Sequence, residues 1–122
     1  MIIVVDDSDF VRKSLVEILR ELGSDRILEM KDGIQLVEYY SESHAEKHDI
    51  KLIILDVVMP NMSGIEVLGL IRKLDKKVPI VLFSGLLSEE TVAVAFELGV
   101  KDFLSKPVSE TQVNKILNLY LK

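Results

Sequence analysis

The sequence predicts an α/β domain in which a doubly wound, five-stranded parallel sheet carries helices on both faces. Short apolar runs alternate with longer amphipathic stretches along the whole chain, and this alternation is typical of a parallel sheet. Three of the runs are almost continuously apolar, as in strands that are buried on both faces. Because 122 residues is an ordinary length for one domain with its own core, we expect residues 1–122 to form a single domain.

Five short apolar runs mark the strands. They are IIVV at 2–5, RILEM at 26–30, KLIIL at 51–55, PIVLF at 79–83 and DFLS at 102–105. Each has four or five residues, a common strand length. The intervening stretches are long enough for the helical crossovers that join parallel strands.

The stretches between the runs carry apolar residues at helical spacing. The clearest faces are Val11, Leu15, Ile18, Leu19 and Leu22 in the first stretch, Val67, Ile71 and Leu74 in the third, and Val113, Ile116, Leu117, Tyr120 and Leu121 in the fifth. Capping pairs predict three helix starts, at Asp32 with Gln35, Ser63 with Glu66 and Ser109 with Gln112. Gly23 and Gly99 are predicted to end the first and fourth helices.

Composition excludes several classes of function. The net charge is −5 and the 15 Lys and Arg residues are scattered, so nothing resembles a nucleic-acid footprint. The chain has no cysteine, hence no disulfide framework and no cysteine metal site. Its apolar runs are far too short to cross a membrane. Because Met1 leads into the first strand with no basic n-region and no small-residue cleavage site, we expect no signal peptide. These features favour a cytoplasmic domain with neither nucleic acid nor membrane among its partners.

Polar side chains follow four of the five predicted strands. Asp6 and Asp7 follow the first strand, Asp56 follows the third, Ser84 ends the fourth, and the fifth leads into Lys106. Because ligands of such sheets bind at the carboxyl ends of the strands, we expect these groups to converge at one edge.

Three carboxylates brought together repel one another. A pair about 4 Å apart costs about 4 kcal/mol at an effective dielectric constant of about 20, which favours either a retained proton or a bound cation. An all-oxygen site with few protein ligands suits Mg²⁺, which often shares a phosphate. Lys106 and Ser84 would add a positive charge and a hydroxyl. Since no Walker A loop is present, we expect an Asp to accept a phosphoryl group from a donor other than bound ATP.

The motifs at these positions resemble those of response-regulator receiver domains of two-component signalling over the full length of the chain. They are the acidic pair at 6–7, LDVVMPNMSG at 55–64, Ser84-Gly85, and DFLSKP at 102–107. The resemblance implies a flavodoxin-like (βα)5 fold with strand order 2-1-3-4-5.

The resemblance also implies the roles of the acidic residues. Asp56 would be the phospho-acceptor, which also contacts the metal. Asp7 would bind Mg²⁺, or Mn²⁺, directly, whereas Asp6 would act mainly through water. The backbone carbonyl of Val58 would supply a further metal ligand.

The remaining roles concern the phosphate and the switch. By the same resemblance, Ser84 would hydrogen-bond the phosphate and Lys106 would pair with its charge. Phe103 would be the switch aromatic, swinging inward as Ser84 moves toward the phosphate. The Lys106–Pro107 peptide bond is expected to be cis.

The partners are implied in the same way. A sensor histidine kinase or histidine phosphotransfer protein would donate the phosphate. A downstream effector protein or domain would bind the face formed by the fourth helix, fifth strand and fifth helix. The domain would catalyse its own phosphotransfer and slow self-dephosphorylation without turning over an external substrate. A phosphorylation-dependent dimer stays open.

Two positions depart from many members of the family. Val58 and Leu86 are apolar where relatives often carry polar or acidic side chains, beside the path of the water that hydrolyses an acyl phosphate. Our hypothesis is that their bulk slows self-dephosphorylation.

Some residues are interpreted as lying outside the site, and two alternative functions stay open. Asp9 is interpreted as a cap or first-turn acid of the first helix, outside the site, and His44 and His48 as surface residues. A haloacid-dehalogenase-like phosphohydrolase using Asp6 as nucleophile would favour an acid two positions later, where Ser8 stands. A flavodoxin-like binding module would need a hydroxyl- and glycine-rich loop in place of the acids.

Overall fold

The computed structural model describes residues 1–42, 49–85 and 87–121 as one alternating series of strands and helices. The strands are β1 (Ile2–Val5), β2 (Ile27–Met30), β3 (Leu52–Asp56), β4 (Ile80–Ser84) and β5 (Asp102–Ser105). The helices are α1 (Asp9–Glu21), α2 (Gly33–Glu42), α3 (Gly64–Leu74), α4 (Glu89–Glu97) and α5 (Glu110–Tyr120). His44, His48 and Leu86 lie outside the described residues, so the expectations for them stay predictions.

The five strands form one parallel sheet in the order β2-β1-β3-β4-β5, which confirms the predicted fold. Strand boundaries differ from the prediction by one residue at β2, β3 and β4. At β4 the difference has a physical cause, since Pro79 lacks the N–H that a ladder requires. It still contributes its carbonyl, which accepts a 2.9 Å hydrogen bond from the Ile53 N–H.

Alternate residues of the sheet feed two separate cores. Ile3, Val5, Ile53, Leu55 and Leu82 belong to the core that α2 and α3 cover, whereas their neighbours Val4, Ile54 and Val81 pack with α1 and α5. Helices therefore cover both faces, as the continuous apolar strands predict.

The predicted helix faces are largely confirmed. Val11, Leu15, Ile18, Leu19 and Leu22 all belong to or pack against the α1–α5 core, as do all five predicted residues of α5. Leu74 is the exception, because it is the last residue of α3 and remains 48% exposed.

Side-chain caps begin the helices where the sequence indicates. The Ser63 and Ser109 hydroxyls each accept a 3.3 Å hydrogen bond from the backbone N–H three residues later. Asp32 accepts from the Gln35 N–H, while the Gln35 side chain accepts from the Lys31 N–H. All three of these helices therefore begin at the predicted positions.

Two glycines end helices at positive φ. Gly23 and Gly99 have φ angles of 103° and 96°, directly after the C-caps of α1 and α4, as predicted. Among the described helices, none is both long and apolar enough to span a bilayer.

Candidate functional site

Asp6 and Asp7 leave β1 at the carboxyl edge of the sheet. The Asp6 N–H donates to the Met30 carbonyl at 3.1 Å, which continues the β1–β2 pairing past the strand end. The Asp6 side chain turns inward, is fully buried, and accepts a 2.9 Å hydrogen bond from the Ser8 N–H. Asp7 is exposed at the mouth of the same edge.

Asp56 ends β3 beside this acidic pair. It is 3% exposed, and one carboxylate oxygen from each of Asp6, Asp7 and Asp56 lies within 4.8 Å of the others. The β1–β3 register places Val5 opposite Leu55, so the next residues of the two strands carry their acids to one place. A single negatively charged pocket results.

Lys106 brings a cation into this pocket from the loop after β5. Its Nζ lies 3.1 Å from Asp6 Oδ2 and 3.1 Å from Asp56 Oδ1. The ammonium also lies 4.9 Å from the centroid of the Phe83 ring. The loop is anchored by a 2.9 Å hydrogen bond from the Lys106 N–H to the Ser84 carbonyl, and the Lys106–Pro107 bond is cis, as expected.

The pKa values of Asp56 and Lys106 are both raised, but by different causes. Burial and the neighbouring Asp6 carboxylate raise the pKa of Asp56, against the hydrogen bonds that it accepts from Lys106 and the Val58 N–H. Burial alone would lower the pKa of Lys106, but hydrogen bonds and charge from Asp6 and Asp56 outweigh it and raise that pKa. The lysine therefore stays charged while Asp56 is under electrostatic stress.

The residues present fit a hard divalent cation. Within the described residues, Asp6 Oδ2 is buried without a hydrogen bond of good geometry, although it contacts the Lys106 ammonium as an ion pair. One ammonium neutralises only part of the charge of three carboxylates. An oxygen-only donor set with net negative charge is of the type that Mg²⁺ or Mn²⁺ prefers.

Val58 lies beside this donor set. Its N–H lies 3.4 Å from Asp56 Oδ1, and its side chain is 74% exposed. The roles assigned to its carbonyl and to its bulk stay predictions.

Ser84 and Phe103 lie on the neighbouring strands. Ser84 ends β4, is 5% exposed, and stands in register with Ser105 of β5. Phe103 is partly buried in β5 and meets the Phe96 ring of α4 edge-on, with centroids 5.4 Å apart and planes at 73°. The structure thus connects the candidate switch aromatic to an exposed residue of α4.

Asp9 lies outside the acidic pocket. Ser8 caps α1 by accepting a 3.2 Å hydrogen bond from the Val11 N–H, and Asp9 occupies the first turn, where a hydrogen bond from Arg12 is the main cause that lowers its pKa. The first-turn interpretation is confirmed, and the cap itself is the neighbouring serine.

Two residues that shape the site were not predicted from the sequence. Arg12 is 4% exposed and donates to the Asp6 carbonyl at 2.9 Å. Its signal was a charge on the apolar face of α1, one turn before Leu15. Gly64 begins α3 directly against the backbone of Asp56, and a Cβ there would lie 2.2 Å from the Asp56 carbonyl oxygen. Its signal was the glycine that closes the LDVVMPNMSG motif.

Comparisons with known proteins agree with this geometry. The family model described as "Response regulator receiver domain" matches residues 2–118. The chain is 33% identical to the chemotaxis protein CheY of Bacillus subtilis over 117 residues, covering 96% of this chain and 93% of that protein. It is 36% identical to CheY of Treponema pallidum over 121 residues, covering 99% and 82%.

A solved structure is similar over nearly the whole fold. A chain of the CheX-CheY-BeF3-Mg²⁺ complex from Borrelia burgdorferi superposes with a TM-score of 0.88 at 30% identity, covering 99% of this chain and 89% of that one.

Proposed function

The chain belongs to the response regulator receiver domain family of two-component signalling, and from that premise we propose that it is a phosphorylation-activated switch with Asp56 as its phospho-acceptor. The observation that carries the proposal is the placement of Asp56, Lys106 and Asp6. A nearly buried carboxylate lies 3.1 Å from an ammonium that a second buried carboxylate also contacts. We extend the proposal to a single receiver domain over residues 1–122.

The chemistry follows from the charges around Asp56. A carboxylate oxygen of Asp56 attacks the phosphorus of a phosphohistidine, a P–O bond forms, and the P–N bond to the donor imidazole breaks. Mg²⁺, held by Asp6, Asp7 and Asp56 with the Val58 carbonyl, would neutralise negative charge on the phosphoryl oxygens.

Lys106 has a second task in this transfer. Its ammonium pairs with carboxylates before the reaction, and it is close enough to Asp56 to pair with a phosphoryl oxygen afterwards. The same ammonium would thereby serve Asp56 both before and after phosphorylation. Through this ion pair, Lys106 would connect the aspartyl phosphate to the loop that follows β5.

The switch would be read on the face of α4, β5 and α5. Ser84 ends the strand beside Asp56 and would hydrogen-bond the phosphate, and Phe103 would then move inward from its contact with Phe96. Such a movement changes the exposed apolar surface of α4, which is a local change with a readout in partner affinity. A histidine kinase or phosphotransfer protein upstream and an effector downstream are the partners that we propose.

Incubation with acetyl phosphate and Mg²⁺, followed by intact-mass measurement, tests the proposal. We expect one phosphate adduct in the wild type, none in Asp56→Asn, and an unchanged adduct in the control Asp25→Asn, whose exposed side chain precedes β2. The absence of an adduct in the wild type would overturn the proposal. Steady hydrolysis of a phosphomonoester that survives Asp56→Asn would instead favour Asp6 as a hydrolase nucleophile.

A further inference from the structure

Arg12 is a buried cation beside the candidate site, and it takes no part in the transfer described above. Its side chain is 5% exposed and its guanidinium has three acceptors on three different elements. It donates to the backbone carbonyl of Asp6 at 2.9 Å, to Asp9 Oδ1 at 2.5 Å and to Glu29 Oε1 at 3.0 Å. It therefore joins the end of β1, the first turn of α1 and strand β2.

Lys106 and Arg12 pair with four nearby carboxylates, two each. Lys106 contacts Asp6 and Asp56, which belong to the acidic pocket, whereas Arg12 contacts the carboxylates of Asp9 and Glu29, which do not. A planar guanidinium suits contacts with several acceptors, because its N–H donors point in fixed directions and it stays charged at any ordinary pH. Arg12 thus pairs with two acids that lie outside the acidic pocket.

The contact with the Asp6 carbonyl places Arg12 in the support of the pocket. The Asp6 N–H is held by Met30 at 3.1 Å, and the Asp6 carbonyl is held by Arg12. The peptide group that joins Asp6 to Asp7 is consequently fixed on one side by the guanidinium. Both acids depend on the orientation of this peptide for the direction of their side chains.

We propose that Arg12 is a positioning residue for the divalent cation: its guanidinium fixes the Asp6–Asp7 peptide and keeps Asp9 out of the metal site. The inference rests on the proposed function, since it concerns the same acidic pocket. Outer groups that orient metal ligands typically change metal affinity by about 10- to 100-fold when they are removed.

Charge and positioning predict opposite results for the loss of Arg12. Removing a positive charge near a cation site should strengthen Mg²⁺ binding, because it removes repulsion. Releasing the Asp6–Asp7 peptide should weaken binding, because the ligands lose their orientation. The sign of the change in Mg²⁺ affinity therefore separates a positioning role from a purely electrostatic one.

Isothermal titration of the unphosphorylated protein with Mg²⁺, together with its Tm in the absence of metal, makes the test. Arg12→Gln is expected to raise the Mg²⁺ Kd about tenfold or more. Lys13→Gln removes the same charge from the neighbouring exposed position and is expected to leave the Kd unchanged or lower. Asp9→Asn is expected to leave the Kd within about twofold of the wild type, which corresponds to about 0.4 kcal/mol.

Each result of these titrations either supports or overturns the positioning role of Arg12. A lower Tm in Arg12→Gln with an unchanged or lower Kd is the result of a merely structural or electrostatic role and overturns the proposal, as does a large rise in Kd for Asp9→Asn. If Arg12→Gln does not fold, Arg12→Lys keeps the charge but lacks the fork, and wild-type affinity in that variant overturns the proposal. A wild type that does not bind Mg²⁺ would overturn the proposed function as well, so the two failures are distinguishable.

Discussion

Lys106 and Asp56 are 50 positions apart in the sequence, yet the Lys106 Nζ lies 3.1 Å from Asp56 Oδ1. The same ammonium lies 3.1 Å from Asp6 Oδ2, so one cation serves two buried carboxylates. Because Asp7 adds a third acid at the mouth of the pocket, the metal-free site carries excess negative charge. The fold therefore tolerates repulsion between carboxylates at the place where the proposed chemistry needs a metal-binding, nucleophilic site.

Asp56→Asn should make the metal-free protein more stable. The raised pKa of Asp56 means that its contribution to stability is fully present below the unfolded pKa, about 3.9, and is lost as pH rises through the folded value. At pH 7 the ionised carboxylate therefore destabilises the fold, and removing its charge should increase the free energy of unfolding by about 1 kcal/mol. Urea unfolding in the presence of EDTA at pH 4 and pH 7 measures the difference, which should be larger at pH 7.

Magnesium supplies the matched comparison for this variant. Saturating Mg²⁺ should raise the Tm of the wild type, because a ligand that binds only the folded state stabilises it, and should raise the Tm of Asp56→Asn less. Asp25→Asn should respond to both pH and Mg²⁺ as the wild type does. An Asp56→Asn protein that is less stable than the wild type in EDTA at pH 7 would contradict the proposed stress.

Two glycines of α3 should respond oppositely to alanine. A Cβ at Gly64 would lie 2.2 Å from the Asp56 carbonyl oxygen and 2.8 Å from the Val57 Cα, so the backbone that carries Asp56 must move. We expect Gly64→Ala to lower the free energy of unfolding by about 1–3 kcal/mol and to slow adduct formation with acetyl phosphate.

Gly69→Ala is the control in the same helix. Its Cβ would meet only the Leu98 methyl groups, at 3.9 Å, so the helix should gain up to about 1 kcal/mol with unchanged phosphorylation. Equal effects of the two substitutions on phosphorylation would show that the close approach of Gly64 does not position Asp56.

The sheet was predictable from the sequence because its signals are local. Val4, Ile54 and Val81 lie in continuous apolar runs, and each run predicts a buried strand from its own residues alone. The acids after β1 and β3 were predictable for a related reason. A parallel sheet brings the carboxyl ends of its strands to one edge, so Asp6 and Asp56 meet whatever fills the rest of the domain.

The contacts of Arg12 and Gly64 could not be predicted from local sequence patterns. The side chain of Arg12 is held by Glu29, 17 positions away, and by the backbone carbonyl of Asp6. Hydrophobic periodicity in the sequence indicates neither contact. Gly64 is required by a contact between two backbones, and a sequence records only that a small residue is present. Leu74 fits the spacing of the apolar face of α3, but it is the last residue of that helix and is 48% exposed, and spacing alone does not tell how far along a helix the buried face extends.

Asp75→Asn should lower stability in a pH-dependent way. Burial would raise the pKa of Asp75, but backbone N–H donors from Lys77 and Val78 and the Tyr40 hydroxyl hold it below its usual value. The stabilisation is therefore present above the unfolded pKa of about 3.9 and is lost as pH falls through the folded value. We expect a loss of about 1–2 kcal/mol at pH 7, shrinking below pH 4 in urea titrations.

Tyr40→Phe tests the same contact from its other side. It removes the donor 3.1 Å from Asp75 Oδ2 while keeping the buried ring, and should cost about 1 kcal/mol at pH 7. The effects of the two substitutions should not be additive, because they remove one shared hydrogen bond. Full additivity would show that the Tyr40–Asp75 contact contributes nothing of its own.

Phe96→Ala should bias the candidate switch toward its inward state. Phe103 meets Phe96 edge-on at 5.4 Å, and an aromatic pair of this kind contributes about 0.5–1.5 kcal/mol. If Phe103 leaves this contact when it moves inward, removing Phe96 should increase the inward population about two- to tenfold before phosphorylation. Because Phe96 is 56% exposed, its loss should change overall stability little. Fluorine NMR of protein that carries fluorophenylalanine measures the two populations of Phe103, and Val94→Ala, at another exposed apolar position of α4, is the control. A Phe103 signal that is the same in Phe96→Ala and in Val94→Ala would contradict a holding role for Phe96.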